Sequence, residues 1–223
     1  MIVFKRHDLV WLSDAGLDYA AGTIQNCIPH VTDKELSALL FSSPPIPAIV
    51  RRQESTEDEL LCVGFSFPKI IDGMRLRLST KVPPDCVVRH NTPFDVLEYK
   101  TGNLPCKEAV RALADAGNKY HTKVGLFGSV ALQLATGLQY LRKNSDIDIY
   151  LRYLGNGQEL ALFYKQLTNI EEQFGVIIDA EIEFHEQYGI KLKELFGPGK
   201  TVLGKGLYDV TLLEKTCLES FLL

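Results

Sequence analysis

Residues 127–151 read FGSVALQLATGLQYLRKNSDIDIYL. The stretch opens on the small pair Gly128-Ser129 and closes on two aspartates, Asp146 and Asp148, set one residue apart in an apolar run. Successive side chains of a strand point to opposite faces, so the two carboxylates share one face while Ile147, Ile149 and Leu151 take the other and anchor the strand in a core. The carboxylates then stand roughly 6–7 Å apart along the strand. Two unpaired anions at that spacing repel, and burying them is costly. A divalent cation between them removes the conflict, and hard Mg²⁺ takes such oxygen ligands while water and substrate phosphates complete its shell. The alternative is a solvated face, because Asp-x-Asp is too short a motif to decide alone.

Two neighbouring features bear on that choice. Gly128-Ser129 joins a predicted strand, KVGLFG, to a predicted helix, SVALQLAT, which Gly137 stops. Glycine lets the backbone approach a ligand, the helix N-terminus offers free N–H groups to an anion, and Ser129 adds a hydroxyl; the plainer role is a helix cap. Downstream, VIIDAEIEF alternates as a strand, with Asp179, Glu181 and Glu183 on one face and Ala180, Ile182 and Phe184 on the other. Asp179 or Glu181 is expected to supply a third carboxylate, to hold a second metal ion or to take a proton from an attacking hydroxyl. Glu183 is expected to face solvent.

Outward from this centre, the chain of 223 residues is long enough for one large domain or two small ones. KVPPDCVVRHNTP, residues 81–93, interrupts both periodicities and marks the clearest break. Before it come strand-like runs (IPAIVRR, ELLCVGFSF, MRLRLST) and a short helix, TDKELSALLF, capped by Thr32 or Asp33. After it helix and strand alternate. PCKEAVRALADAG reads as a helix with Gly117 just past its end, and QELALFYKQLTNIEEQFG carries Leu160, Phe163, Leu167, Ile170 and Phe174 at helical spacing. The fold class is therefore two-domain α+β and α/β: a smaller N-terminal α+β domain over residues 1–85, and a C-terminal domain over 86–223 with a mixed sheet flanked by helices.

Composition narrows the function classes. With 24 basic against 28 acidic residues and a net charge of −4, the chain has no broad basic face for nucleic acid, though a local cluster could hold a small anion. Five cysteines, scattered and odd in number, form neither a disulfide framework nor a zinc pattern. MIVFKRHDLVWL carries charges in its first apolar stretch and does not read as a signal peptide, and no run is long enough to span a bilayer. A cytoplasmic protein with no membrane partner is expected.

The order Gly-Ser, Asp-x-Asp, later strand acid resembles the nucleotidyltransferase fold of the DNA polymerase β superfamily. Within it, Gly128-Ser129, Gln133, Thr136-Gly137-Leu138, Tyr140-Leu141 and Ser145-Asp146-Ile147-Asp148 resemble the phosphoribosyl-dephospho-CoA transferases of malonate decarboxylase, also called holo-(acyl-carrier-protein) synthases. RHDLVWL, IPAIVRR, LLCVGFSFP, DAEI and VLGKGLYDVTLL extend the likeness over both halves. Leu132 and Gln139 depart from it, standing where an aromatic residue and a proline are common.

The resemblance implies a nucleotidyltransferase-like C-terminal domain with two Mg²⁺ ions, Asp146 and Asp148 as metal ligands, and Asp179 or Glu181 as the third acid. It implies Gly128 and Ser129 on the β/γ-phosphates, with Thr136 among the substrate-binding residues. The donor would be 2′-(5″-triphosphoribosyl)-3′-dephospho-CoA and the acceptor a serine of an apo acyl carrier protein subunit; pyrophosphate would leave. Arg51 or Arg52, following a strand, and Lys205, between two glycines, are candidate phosphate contacts; Arg142 and Lys143 could instead meet the carrier. His7 and Trp11 are read as packing residues, and Tyr140 as pocket, core or rim. Two rivals stand beside this: a nucleotidyltransferase that uses an ordinary NTP, and a catalytically silent module that binds a carrier protein.

Overall fold

The structure is a computed structural model that describes residues 3–56, 59–99, 104–155 and 157–222. These residues form two six-stranded sheets. In the first, β1 (Leu9–Leu12), β2 (Asn26–Ile28), β3 (Ala48–Val50), β4 (Leu61–Ile71), β5 (Met74–Val82) and β6 (Val87–Asn91) run in the order β2-β5-β4-β3-β1-β6, antiparallel throughout. Helices α1 (Asp14–Gly22) and α2 (Asp33–Leu40) close a core of Val10, Leu17, Leu36, Leu40, Phe67 and Leu76. Each helix starts on a hydroxyl: Ser13 Oγ accepts the Gly16 N–H, and Thr32 forms a reciprocal capping box with Glu35. Of the two caps expected for α2, Thr32 is the one used.

The segment read as a break contains a single 3₁₀ turn, Pro84–Cys86, and then β6, which pairs with β1. The first sheet therefore crosses the expected boundary at residue 85 and closes at Asn91. A strand of exposed and half-buried residues carries little apolar pattern; its place comes from the ladder that β1 offers.

The second unit contains α3 (Pro93–Leu97), α4 (Lys107–Lys119), β7 (Thr122–Leu126), α5 (Gly128–Thr136), β8 (Ile147–Tyr153), α6 (Gly157–Phe174), β9 (Ile178–Phe184), β10 (Tyr188–Lys191), α7 (Leu192–Leu195), β11 (Thr201–Lys205), β12 (Val210–Glu214) and α8 (Lys215–Leu222). Its sheet order is β12-β11-β10-β9-β8-β7. Only β8 and β9 pair in parallel, and α6 supplies the crossover such a pair requires. Ile147, Ile149 and Leu151 are buried with Leu113, Leu160 and Phe163, as the alternation predicts. Among the described residues, no helix is long and apolar enough to cross a membrane, and the five cysteines are free thiols.

Gly117 does not stop its helix. α4 continues to Lys119, and a Cβ at Gly117 would lie 2.6 Å from the Thr122 carbonyl and 2.7 Å from a Val124 methyl. The glycine allows the helix to sit against β7.

The loop from α5 to β8 is tightly fixed. The Gln133 side-chain oxygen accepts the N–H groups of Tyr140 and Leu141 at 3.0 and 2.9 Å. Tyr140 is 1% exposed, donates its hydroxyl to the Ser66 carbonyl of β4 at 2.8 Å, and receives Arg75 Nη2 on its own carbonyl at 2.5 Å. Tyr140 is thus a core residue that ties the second unit to the first. Tyr140→Phe should lower stability by about 1 kcal/mol, the net worth of a buried hydrogen bond, and Tyr140→Ala by about 3–5 kcal/mol. Equilibrium urea unfolding measures both; equal stability of Tyr140→Phe and the parent would refute the tether.

Candidate active site

Parallel pairing sets Asp148 of β8 directly beside Asp179 of β9, and Tyr150 beside Glu181. Asp146 lies one residue before β8, is exposed, and is near enough for its charge to act on Asp148. The turn into α5 meets this face. The Phe127 N–H donates to the Asp148 carbonyl at 3.1 Å, and Gly128 has φ +65°. A Cβ at Gly128 would collide with Asp148 Oδ2 and lie 2.8 Å from its Cγ, so both space and backbone conformation demand glycine. No side chain caps the first turn of α5.

The electrostatics follow from that crowding. Burial first, then the charges of Asp179 and Asp146, raise the Asp148 carboxyl to about 7, with Lys191 opposing. Lys191 Nζ donates to Asp179 Oδ2 at 2.6 Å, and Lys193 Nζ stands 3.9 Å from Oδ1. Asp179 Oδ1 is buried and accepts no hydrogen bond. Among the described residues, no three His, Cys, Asp or Glu side chains already converge as a metal cage.

A cleft of about 710 Å³ opens between the first sheet and α5. Gly128, Ser129 and Asp148 line it from the second unit, and Arg51 and Arg75 from the first. β3 ends at Val50, so Arg51 and Arg52 lie beyond the strand. Arg51 reaches this cleft, whereas Arg52 lines a second cavity of about 750 Å³, together with Arg51, Arg6 and Lys205. Lys205 donates to Glu181 Oε1 at 3.1 Å. Thr136 sits at the far end of α5 from Gly128, where its hydroxyl donates to the Leu132 carbonyl and accepts the Leu138 N–H.

Glu181 and Glu183 are each only 4% exposed. Glu183 therefore does not face solvent: Lys5 Nζ holds one oxygen at 2.8 Å and Arg152 Nε the other at 2.6 Å. Glu181 takes His7 Nε2 at 3.1 Å and stands 3.9 Å from Arg6. Burial pushes the Glu181 carboxyl up, but the hydrogen bond from His7 and the charges of His7, Arg6 and Lys205 outweigh it and hold it at about 2. The His7 ring also packs against Phe127, centroids 4.0 Å apart and planes tilted by 32°, immediately before Gly128. Sequence reading set His7 aside as packing and gave Arg6 no role. The available signal was charge balance: three acids on one strand face need cations, and Lys5-Arg6-His7 is a cluster of them.

The family profiles described as phosphoribosyl-dephospho-CoA transferase MdcG, N-terminal domain and C-terminal domain, match residues 5–93 and 96–216. Curated proteins named phosphoribosyl-dephospho-CoA transferase are similar over most of the chain. One from Xanthomonas axonopodis pv. citri is 25% identical over 216 residues, covering 96% of this chain and 95% of that protein. One from Xanthomonas euvesicatoria pv. vesicatoria is 26% identical over 176 residues, covering 78% and 81%. One from Bradyrhizobium diazoefficiens is 24% identical over 214 residues, covering 94% and 90%. No solved structure matches the chain.

The crowding makes a prediction that needs no substrate. Asp148 has its folded carboxyl raised from 3.8 to about 7, so the folded protein holds a proton there that the unfolded chain releases. The stability tied to that proton is complete below about 3.8 and is lost as pH rises through about 7. Asp148→Asn should therefore stabilise the protein in EDTA by about 1–3 kcal/mol above pH 7, with the gain shrinking toward pH 4. Thermal unfolding across that range reads it; a destabilised Asn variant at pH 8 contradicts the crowding.

Proposed function

The chain belongs to the phosphoribosyl-dephospho-CoA transferase family, and from that premise we propose that it charges the acyl carrier protein of a malonate decarboxylase. The donor is 2′-(5″-triphosphoribosyl)-3′-dephospho-CoA, the acceptor a serine hydroxyl of the apo carrier, and the leaving group pyrophosphate. The observation that carries the reading is the meeting of Gly128, Ser129, Arg51 and Asp148 in one cleft, with Asp179 in register beside Asp148.

The residues fit magnesium. Asp148 carries a carboxyl that its neighbours repel, and Asp179 keeps one buried oxygen without a hydrogen-bond donor. Both are relieved by a cation. Asp146 and Asp148 would hold it, with Asp179 as the third acid in preference to Glu181, whose oxygens are already taken by His7 and Lys205. Bound there, magnesium supplies charge neutralisation for the attacked phosphate and its leaving group.

The other roles belong to the chain itself. The uncapped first turn of α5 and the Ser129 hydroxyl bind the β/γ-phosphates. Arg51 reaches them from the opposite wall as a bidentate donor. His7, packed against Phe127 and bonded to Glu181, keeps the turn before Gly128 in place. Lys191 orients Asp179.

Intact mass of an apo carrier subunit, after incubation with the protein, Mg²⁺ and the triphosphoribosyl donor, tests the proposal. A mass gain equal to the phosphoribosyl-dephospho-CoA group is expected, and ATP in place of the donor should give none. Asp146→Asn, Asp148→Asn and Gly128→Ala should each lower the rate by at least about a hundredfold, while near-UV circular dichroism confirms folding. An unaltered rate in either Asn variant removes the metal assignment, and a gain with ATP alone replaces the donor by an ordinary nucleotide.

A further inference from the structure

A third cavity, of about 560 Å³, adjoins the cleft. Arg75, Arg77, Arg142 and Lys143 line it, with Asn144 and Ser145 on the rim leading to Asp146. Arg75 and Arg77 line the main cleft as well, so the two spaces share a wall. Arg75 and Arg77 come from β5 of the first sheet, whereas Arg142 and Lys143 come from the loop that Gln133 and Tyr140 hold in place.

These four cations lack the carboxylate partners that the cations around β9 have. Lys5, Lys191, Lys205 and Arg152 each pair with a carboxylate at 3.1 Å or less. Among the described residues, no carboxylate stands within 4.0 Å of Arg75, Arg77, Arg142 or Lys143. Arg75 gives Nη2 to the Tyr140 carbonyl and lies over the Tyr140 ring, but its Nη1 is buried with no acceptor among the described residues. Burial, followed by the charges of Arg142 and Arg77, pulls the Arg75 guanidinium below its usual value, which reflects like charges gathered without compensation. An orphaned buried donor amid three further cations is costly unless a multivalent anion enters.

We infer that this cavity is a subsite for a diphosphate group, separate from the phosphate contacts at Gly128 and Ser129. Several guanidinium groups facing one concave space suit adjacent phosphates, which accept bidentate hydrogen bonds from more than one arginine. Concavity and the wall shared with the cleft favour a small ligand that reaches both spaces over an acidic protein surface. The inference rests on the donor proposed above, whose dephospho-CoA part carries its own diphosphate away from the triphosphate that reacts. The subsite would hold that diphosphate while the nucleoside lies in the larger cleft, and so would select a dinucleotide-like donor over a plain NTP.

Calorimetric titration of the full protein in EDTA tests the subsite without requiring transfer. Dephospho-CoA and inorganic pyrophosphate serve as probes, against the parent and the Arg77→Ala and Arg142→Ala variants, both of which change exposed side chains. Dephospho-CoA should bind the parent, and each variant should weaken it about tenfold. Weakened pyrophosphate binding with dephospho-CoA unmoved assigns the four cations to the leaving end of the donor and overturns the separate subsite. Unchanged binding of both probes, or no binding of either to the parent, overturns it. In the carrier-charging assay, the donor KM should rise in both variants while the carrier KM holds. A rise in the carrier KM alone makes the patch a protein-docking surface and also overturns it. Transfer that proceeds with undiminished probe binding in the variants removes the subsite and leaves the proposed function. Failed transfer with Arg-dependent probe binding does the reverse.

Discussion

Like charge brought together by strand register is the constraint on which the rest of the site depends. Ile147, Ile149 and Leu151 must enter the core, and that obliges Asp148 to take the opposite face. Parallel pairing with β9 then sets Asp179 directly alongside. Neither strand can slip by one residue to separate the acids, because every buried isoleucine and leucine would turn outward with the slip. The protein tolerates the repulsion instead, through Lys191 on one acid and a displaced titration on the other. The Gly128 backbone fits against the resulting carboxylate with no room for a side chain.

The neighbouring acids show how the same strand manages charge when no ligand is meant to enter. Glu181 and Glu183 are as buried as core residues, yet every one of their oxygens has a cation against it. Breaking one partner of a buried pair costs about 3–5 kcal/mol, whereas the intact pair adds little net stability over an apolar replacement. Their value is positional. Lys5, Arg6 and His7 belong to the segment that leads into β1, so these pairs fasten the first sheet to β9 beside the turn at Phe127. Tyr140 fastens β4 to the loop after α5. The cleft lies between the first sheet and α5, in units joined at these separate places, which fixes the distance between Arg51 on one wall and Gly128 on the other.

Much of this arrangement is legible in the sequence wherever period and punctuation carry the signal. The β8 and β9 alternation, the capped α2 and the helix ending at Gly137 all come from local pattern, and the order of Gly-Ser, Asp-x-Asp and strand acid carries the family likeness. The failures have a common cause: contacts between distant segments. β6 has no apolar alternation because its partner β1 defines it. Gly117 looks like a stop because a glycine needed for helix–strand contact has the same letter as one needed for termination. Glu183 looks solvated because the cations that bury it lie some 180 residues upstream (Lys5) and on the adjacent strand (Arg152). Thr136 and Gln133 belong to the stretch that carries the likeness, yet their hydrogen bonds hold the loop rather than face the cleft. A motif can hold its spacing for the scaffold's sake as much as for the substrate's.

Net charge is a poor guide to an anion site, and pairing is a better one. A net charge of −4 speaks against a broad basic face but leaves a local anion site open. The cations of the chain fall into two populations. Those within 3.1 Å of a carboxylate, such as Lys5, Arg152, Lys191 and Lys205, are part of the architecture, and their field is cancelled locally. Others have no carboxylate within 4.0 Å among the described residues, and five of these, Arg51, Arg75, Arg77, Arg142 and Lys143, line two cavities with shared walls beside the aspartates. A low-dielectric wall focuses the field of unpaired charges into the space they surround, while distant surface acids are screened over about 10 Å. What attracts the ligand is the uncompensated part of the charge, and here that part is positive and gathered on the walls of the cleft, a short step from the carboxylates that call for a metal ion.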